Sequence, residues 1–194
     1  MNVAVFGGSF DPPHVAHLFT ASYVLATGGF ERVLVVPVYE HAFDKSLAPF
    51  EHRAAMCRAC FAGLGAVEVS EIEASLPRPS YTERTLERLA REHPDWRLRF
   101  VMGSDALADT AKWHNYARVT ELAPPFVVAR RGHERPELGP PLLPEVSSSH
   151  VRRLFAAGAT DSGARRELAA LVPAAVIAYA DGHGLYRAGA TERA

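Results

Sequence analysis

Short apolar runs alternate with longer amphipathic segments along most of this chain. Five runs rich in Val, Leu or Phe are each bounded by Gly, Pro or polar residues, a pattern typical of buried strands. They are NVAVFG at 2–7, RVLVVPV at 32–38, AVEVSEIE at 66–73, RLRFVMG at 97–103 and PFVVAR at 125–130. Four segments between them have helical spacing: HVAHLFTASYVLAT at 14–27, FEHRAAMCRACFAG at 50–63, YTERTLERLAREH at 81–93 and DALADTAKWHNY at 105–116.

The alternation of strand and helix predicts an α/β fold. We expect a Rossmann-like, doubly wound parallel sheet with helices on both faces and right-handed crossovers. The chain has 194 residues, of which 48% are hydrophobic, and this suits one domain. We assign that domain to residues 1–187 and a flexible C-terminal tail to residues 188–194. Ligands of such sheets bind beyond the carboxyl ends of the strands, near the point where the strand order reverses.

Composition narrows the class of protein. The formal net charge is −1, so no global basic field attracts nucleic acid or an anionic membrane. The first apolar run has no basic region before it and ends in Gly-Gly, unlike a signal peptide, and no run reaches the ~18 apolar residues of a membrane span. We therefore expect a soluble, cytoplasmic protein.

The chain has two cysteines, Cys57 and Cys60, and no second pair that would complete a zinc site. We expect reduced thiols, with a redox pair as the alternative.

The stretch VAVFGGSFDPPHVAHL carries the clearest candidate chemistry. Gly7 and Gly8 follow the first strand, where small residues permit a sharp turn and close approach of a ligand to the main chain. Ser9 adds a hydroxyl donor. Pro12 and Pro13 are suited to the start of a helix, because the first helical turn does not use its N–H groups.

Two histidines follow those prolines at a spacing of three. We expect His14 and His17 in the first turns of the helix, with both imidazoles on one face beside an N-terminus that favours anions. The pattern predicts a phosphate site. It is neither G-x-G-x-x-G nor G-x-x-x-x-G-K-[ST], so a dinucleotide oxidoreductase and a P-loop enzyme are not indicated. Metal ligation by the two histidines is the alternative, but no HExxH or carboxylate triad supports it.

Several motifs resemble one family in the right order. GGSFDPPHVAHL at 7–18 is similar to the G-[GT]-[FS]-D-P-x-H-x-G-H signature of the HxGH nucleotidyltransferases, and VSSSHVRR at 146–153 resembles their I-S-S-T-x-I-R motif. Within that superfamily the chain resembles bacterial nicotinate-nucleotide adenylyltransferases. The matching segments are SYTERTLERL at 80–89, MGSDALADTAKWHNY at 102–116 and VPAAVIAYADGHGLYR at 172–187.

The resemblance implies transfer of AMP from ATP to nicotinate mononucleotide, with release of pyrophosphate, in NAD biosynthesis. Mg²⁺ is implied as the cofactor, bound mainly through ATP phosphates rather than by a metal site of the protein, and a homodimer is possible. The implied catalytic residues are His14, His17, Lys45 and Arg152. The implied ATP-binding residues are Gly7, Gly8, Ser9, Phe10, Asp11, Ser147, Ser148 and Arg152. The implied nicotinate-nucleotide-binding residues are Thr82, Thr85, Asp105, Trp113 and His114.

Three of these residues also have simpler interpretations. Trp113 is implied to stack on the nicotinate ring, and the alternative is a half-buried core tryptophan. Ser148 is implied to contact phosphate together with Arg152, and the alternative is a helix N-cap. Without the resemblance, Lys45 would be interpreted as an exposed loop charge.

The chain departs from the family pattern at three places. Ala16 replaces a glycine in HVAH and adds a methyl group where adenosine packs, Arg84 replaces an aspartate near the second-substrate pocket, and YEHAFDK lacks a P-H-K run. Three alternatives therefore stay open. They are the same chemistry on nicotinamide mononucleotide, transfer to another acceptor as in phosphopantetheine adenylyltransferases or cytidylyltransferases, and a catalytically weak nucleotide-binding regulator.

Overall fold

Five parallel strands form one sheet in the order β3-β2-β1-β4-β5. The computed structural model describes residues 1–42, 46–141, 143–158 and 160–187. The strands are β1 (Asn2–Gly8), β2 (Arg32–Pro37), β3 (Val67–Val69), β4 (Arg97–Gly103) and β5 (Pro125–Val128). The described residues form the helices α1 (Val15–Thr27), α2 (Phe50–Phe61), α3 (Thr82–Glu92), α4 (Tyr116–Leu122), α5 (Ser148–Ala157), α6 (Ser162–Leu171) and α7 (Ala174–Gly182).

Hydrophobic cores cover both faces of the sheet. Successive residues of β1 point to opposite faces, so Val3 and Val5 pack in one core while Ala4 packs in the other. The first core includes Leu86 of α3 and residues of α4, and the second is covered by α1, α2, α5, α6 and α7. The predicted single-domain, doubly wound parallel sheet is confirmed.

The strand order reverses between β1 and β4. After β1 the chain builds β2 and β3 on one side, then returns to add β4 and β5 on the other. Loops that leave the carboxyl ends of β1 and β4 therefore diverge and open a crevice between them. This crevice is where the sequence predicts the site.

Two predicted elements differ from the structure. The strand predicted at 66–73 ends at Val69, because the Ser70 hydroxyl accepts from the Ile72 amide (3.3 Å) and a 3-10 helix (Ile72–Ser75) follows. The helix predicted at 105–116 is a 3-10 helix (Ala106–Lys112) that ends before α4. Between them, Asn115 lies in the left-handed region (φ 48°), which interrupts any continuous α-helix.

Helix α1 also begins later than predicted. Pro12 and Pro13 precede it rather than occupying its first turn, and the Asp11-Pro12 peptide bond is cis. His14 is the N-cap residue, with extended backbone (φ −148°, ψ 176°), and His17 is the third residue of the helix. The helix starts at Val15, and its first-turn N–H groups lie beside His14.

The two cysteines lie in the core on α2. Both are buried and free, and burial raises the pKa of Cys57 well above its ordinary value and the pKa of Cys60 to about 12. Since the thiolate is the reactive form, these thiols are inert packing groups, as predicted. In the described residues no helix has the length and apolarity needed to cross a membrane.

A buried guanidinium ties the loops of the crevice to α2. Arg53 is 1% exposed, and its Nε donates to the Ala48 carbonyl (2.8 Å). Its Nη1 donates to the carbonyls of Ser9 (2.9 Å) and Val38 (2.7 Å), and its Nη2 donates to that of Tyr39 (3.2 Å). One side chain thus fixes the loop after β1, the loop after β2 and the segment that enters α2.

We predict that Arg53→Met lowers the free energy of unfolding by about 3 kcal/mol, because it leaves buried carbonyls without donors. Urea unfolding measures this loss. Arg58→Met is the matched control on the same helix, where the guanidinium is exposed and pairs with Glu71; about 0.5 kcal/mol or less is expected there. Equal losses in the two variants would contradict the role given to Arg53.

Candidate active site

A cavity of about 430 Å³ lies at the carboxyl edge of the sheet, between β1 and β4. The loop after β1 forms one wall, and the N-terminal end of α3 with the segment before α4 forms the other. Its lining consists of Gly7, Gly8, Ser9, Val36, Val38, His41, Ala42, Glu73, Ser80, Tyr81, Thr82, Phe100, Lys112, Trp113 and His114. The sequence-predicted Gly7, Gly8, Ser9, Thr82, Trp113 and His114 are thus brought together.

The glycines keep the main chain accessible on the β1 side. A Cβ at Gly8 would approach the Phe10 ring to 3.1 Å, closer than ordinary van der Waals contact. Phe10 itself is 1% exposed and packs edge-on against Phe6, His17 and Phe61. Its side chain therefore belongs to the core, so an ATP contact at Phe10 would come from its main chain, and its assignment as an ATP-binding residue stays a prediction.

Aromatic rings shape the opposite wall. Trp113 is half-buried and packs edge-on against Phe100 (ring centroids 5.6 Å apart) and Tyr116 (5.9 Å). The Tyr81 ring stacks on the His114 imidazole (4.2 Å, 15° between planes). Trp113 is thus a half-buried tryptophan packed against the core that also lines the cavity, and its stacking on the nicotinate ring stays a prediction.

Glu83 holds the segment that carries this wall. Its carboxylate bonds His114 Nδ1 (2.7 Å) and accepts from Asn115 Nδ2 (2.5 Å), and this fixes the left-handed turn at Asn115. Arg84 is not part of the cavity lining: its guanidinium lies over the Tyr81 ring (4.7 Å to the ring centroid) and donates to the carbonyls of Pro77 and Pro79.

Two predicted second-substrate residues lie outside the lining. The Thr85 side chain is buried, and its hydroxyl donates to Glu73 Oε1 (2.9 Å). The Asp105 carboxylate lies 3.6 Å from Arg130 Nε at the start of the 3-10 helix. Both side chains are thus engaged with protein partners, and the assignments of Thr85 and of the main-chain N–H groups around Asp105 to the mononucleotide site stay predictions.

The two histidines stack face to face beside the loop after β1. Their ring centroids are 3.8 Å apart, and His17 Nδ1 accepts from the His14 main-chain N–H (3.2 Å). In neutral His17 the proton therefore resides on Nε2, which makes that nitrogen a donor. His14 Nδ1 is buried and has no hydrogen-bond partner among the described residues.

Both imidazoles are neutral at pH 7 in this state. Burial, followed by the charge of Arg130, lowers the pKa of His14 to about 4. Burial, then His14, then Arg130, lower the pKa of His17 well below its ordinary value. An entering phosphate would oppose these effects, because an adjacent anion stabilises the imidazolium form.

The second predicted phosphate motif adjoins the first. Ser147, rather than Ser148, is the N-cap of α5, accepting from the His150 amide (3.2 Å). The Ser148 hydroxyl donates to the Pro12 carbonyl (3.0 Å) and so ties α5 to the loop after β1. Arg152 Nη1 donates to the Asp11 carbonyl (2.6 Å) and to Asp11 Oδ2 (3.2 Å). Residues 136 or more positions apart in the chain thus meet at one edge of the sheet.

Asp11 fixes this junction by accepting hydrogen bonds. Its carboxylate is 3% exposed and also accepts from the Ala48 amide (3.1 Å) and the Tyr186 hydroxyl (2.8 Å). It therefore holds the turn. Its carboxylate is engaged by protein donors, and its assignment as an ATP-binding residue stays a prediction.

Several organising residues have no signal in the sequence. Arg53, Glu73, Arg130 and Tyr186 form the buried or half-buried polar contacts around the site, and only Tyr186 lies in a quoted motif. A charged residue on an apolar helix face, as at Arg53 beside Ala54 and Met56, is the one clue that the pattern offered.

Two further predictions concern single residues. Lys45 lies outside the described residues, so its role stays a prediction. Ala16 is 2% exposed and packs in the core, and its expected effect on adenosine binding stays a prediction.

Fold and site together are those of a nucleotidyltransferase: in a doubly wound sheet, the paired histidines and the serine- and arginine-bearing start of α5 both adjoin the loop after β1. The cytidylyltransferase-like family model matches residues 5–154. A curated relative from Anaeromyxobacter sp. (strain K), named probable nicotinate-nucleotide adenylyltransferase, is 45% identical over 188 residues, covering 95% of this chain and 96% of its own. The relative of the same name from Myxococcus xanthus is 44% identical, covering 96% and 95%. The chain belongs to the nicotinate-nucleotide adenylyltransferase family.

Solved structures share the fold. The Plasmodium falciparum nicotinic acid mononucleotide adenylyltransferase, in its complex with NaAD, matches with a TM-score of 0.79 at 21% identity, covering 95% of this chain and 97% of that one. A Vibrio parahaemolyticus structure titled as a nicotinate-nucleotide adenylyltransferase matches with a TM-score of 0.70 at 24% identity, covering 96% and 95%.

The depressed pKa of His14 predicts a pH-dependent stability. Between pH 6.5 and pH 4 the unfolded chain binds a proton at this residue that the folded protein does not, so stability decreases as the pH falls through this window. We expect wild type to lose about 2 kcal/mol more than His14→Gln between pH 7 and pH 4.5. Urea unfolding at both pH values measures the difference, and identical losses would refute it.

Proposed function

We propose that this enzyme transfers AMP from ATP to nicotinate mononucleotide, giving deamido-NAD and pyrophosphate. The observation that carries the proposal is the junction of the two predicted phosphate motifs beside a cavity walled by Trp113, Tyr81 and Thr82. An oxygen of the mononucleotide phosphate attacks the α-phosphorus of ATP, and the bond to the pyrophosphate oxygen breaks. Because no covalent enzyme intermediate is needed, the protein contributes alignment and charge stabilisation.

The histidines and arginines serve the ATP side of this reaction. His17 Nε2 donates to a phosphate oxygen, and the His14 imidazole stacked against it bonds another. Arg152 and the N-terminal end of α5 bind the β- and γ-phosphates, and Ser147 and Ser148 hold that helix end in place. Arg130, whose charge lowers both histidine pKa values, adds a second cation close to the phosphates.

Mg²⁺ is the proposed cofactor, and it offsets negative charge on the phosphates when bound. In residues 1–42, 46–141, 143–158 and 160–187 no group of three or more His, Cys, Asp or Glu could hold a metal ion. The Asp11 carboxylate is engaged by protein donors. We propose that Mg²⁺ is held through the ATP phosphates, with the protein contacting the phosphates around it.

The opposite wall suits an acidic pyridine nucleotide. Helix α3 begins at Thr82 in the cavity wall, and its N-terminal N–H groups and dipole favour an anion there. The Trp113 indole offers a face for a pyridine ring. A carboxylate accepts hydrogen bonds from such donors, whereas the amide of nicotinamide mononucleotide would place its own donors against them.

Substrate choice is tested by pyrophosphate release from ATP and Mg²⁺ with nicotinate mononucleotide, nicotinamide mononucleotide or phosphopantetheine in separate assays. We expect kcat/KM for the acid to exceed that for the amide by a factor of about 100 or more. Comparable rates with acid and amide would replace the proposal with dual specificity. Release with phosphopantetheine alone would indicate a different acceptor, and release with none would favour a nucleotide-binding regulator.

His17→Ala tests the catalytic assignment. We expect kcat to fall by a factor of about 100 or more, because a donor to the phosphates is lost, while urea unfolding stays cooperative. His52→Ala is the matched control: this imidazole contacts Tyr179 and His183 between α2 and α7, away from the cavity lining, and turnover should persist. Full turnover in His17→Ala would show that the assigned role is wrong.

A further inference from the structure

Tyr186 has an unusual backbone and a distant hydrogen-bond partner. Its φ is 61°, in the left-handed region that non-glycine residues seldom adopt, and such a conformation persists only where surrounding contacts enforce it. Its hydroxyl donates to Asp11 Oδ1 (2.8 Å), 175 positions earlier in the chain, and its ring packs on Phe155 of α5 (5.5 Å). The end of the described chain is thus fastened to the loop after β1.

Asp11 shares its carboxylate among separate parts of the site. Oδ1 accepts from Tyr186 and from the Ala48 amide ahead of α2, while Oδ2 accepts from Arg152 of α5. A carboxylate can rotate about its χ2 bond, so the donors on Oδ1 determine where Oδ2 points. The direction in which Asp11 holds Arg152 therefore depends on Tyr186.

The orientation of the Arg152 side chain depends on its hydrogen bonds more than that of a buried arginine would. Its side chain is 37% exposed, so solvent leaves it rotational freedom that packing does not remove. The described contacts engage Nη1 with Asp11 and Nη2 with the Ser149 hydroxyl (3.2 Å). Three of the five guanidinium donors are used in these contacts, and their geometry sets the direction of the others.

We propose that Tyr186 is a positioning residue which, by fixing the Asp11 carboxylate, orients the Arg152 guanidinium toward the triphosphate of ATP. The proposal rests on the phosphate-binding role proposed above for Arg152. Burial and the neighbouring Asp11 raise the pKa of Tyr186, so its hydroxyl stays protonated and remains a donor throughout the range in which the protein works.

Tyr186→Phe removes the hydroxyl and keeps the ring on Phe155. We expect the affinity for Mg²⁺-ATP, measured by titration calorimetry, to fall by a factor of about ten, because a hydrogen bond to a charged group is lost. The KM for the mononucleotide should stay within about twofold of wild type, since the cavity wall around Trp113 is unchanged.

Tyr179→Phe is the matched control. It removes a tyrosine hydroxyl from the same C-terminal region, where the partner is His52 Nδ1 (3.0 Å) and Arg152 is not involved. We expect similar urea midpoints for the two variants and unchanged ATP affinity for Tyr179→Phe. Equal losses of ATP affinity in both would overturn the proposal, because they would indicate a general structural effect.

A double-mutant cycle tests whether Tyr186 acts through Arg152. In an Arg152→Lys background, Tyr186→Phe should change ATP affinity by less than about twofold, because the residue that it orients is gone. If Tyr186→Phe lowers ATP affinity by the same factor in the Arg152→Lys background as in wild type, the two residues act independently and the proposal is overturned.

Binding of ATP is measured without any acceptor, so the result separates the two proposals. If the wild-type protein binds ATP but turns over neither mononucleotide, the proposed reaction is refuted, and the effect of Tyr186→Phe on ATP affinity still tests the role of Tyr186. A wild-type protein that does not bind ATP refutes both.

Discussion

The buried guanidinium of Arg53 is the contact on which the site's architecture depends. In a parallel sheet the loops at the carboxyl edge are connected only through the strands that precede them, so they need their own cross-links to keep a fixed relation. Arg53 supplies these links by donating to carbonyls of the loop after β1, the loop after β2 and the entrance to α2. Burial lowers the pKa of this guanidinium, and the nearby Asp11 carboxylate opposes that effect.

Most of the architecture could be predicted because it follows from hydrophobic pattern alone. Strands buried on both faces give continuous apolar runs, and their alternation with amphipathic segments leaves few topologies open. The carboxyl edge as the place of the site follows from that topology. The junction of GGSFDPPHVAHL with VSSSHVRR needed the motif resemblance, and the contacts of Ser148 and Arg152 with the loop after β1 agree with it.

The errors arose where one tertiary contact decides the local structure. The sequence predicts Glu73 in a strand, but it lies in a 3-10 helix, and its carboxylate accepts from the Tyr39 amide and the Thr85 hydroxyl. The same contact withdraws Thr85 from the cavity. Glu83 sets the turn at Asn115 and so divides a predicted helix. The pattern of hydrophobic and polar residues does not predict which polar side chains will form hydrogen bonds with each other 12 or 32 positions apart in the sequence.

Charge at the site is arranged locally rather than globally. The chain carries a net charge of −1, yet the charge of Arg130 acts on two neutral histidines, and Arg152 donates to Asp11 in the loop before them. Neutral rings can stack at 3.8 Å, which two imidazolium ions would resist, and they still offer N–H donors.

The two neutral histidines would respond to a bound anion. A phosphate beside His14 and His17 would raise their pKa values, since an adjacent anion stabilises the imidazolium form. Burying an imidazolium is unfavourable, and only the attraction of a paired anion would offset that unfavourable free energy. The depressed histidine pKa values are therefore the expected property of a buried anion site before its ligand binds.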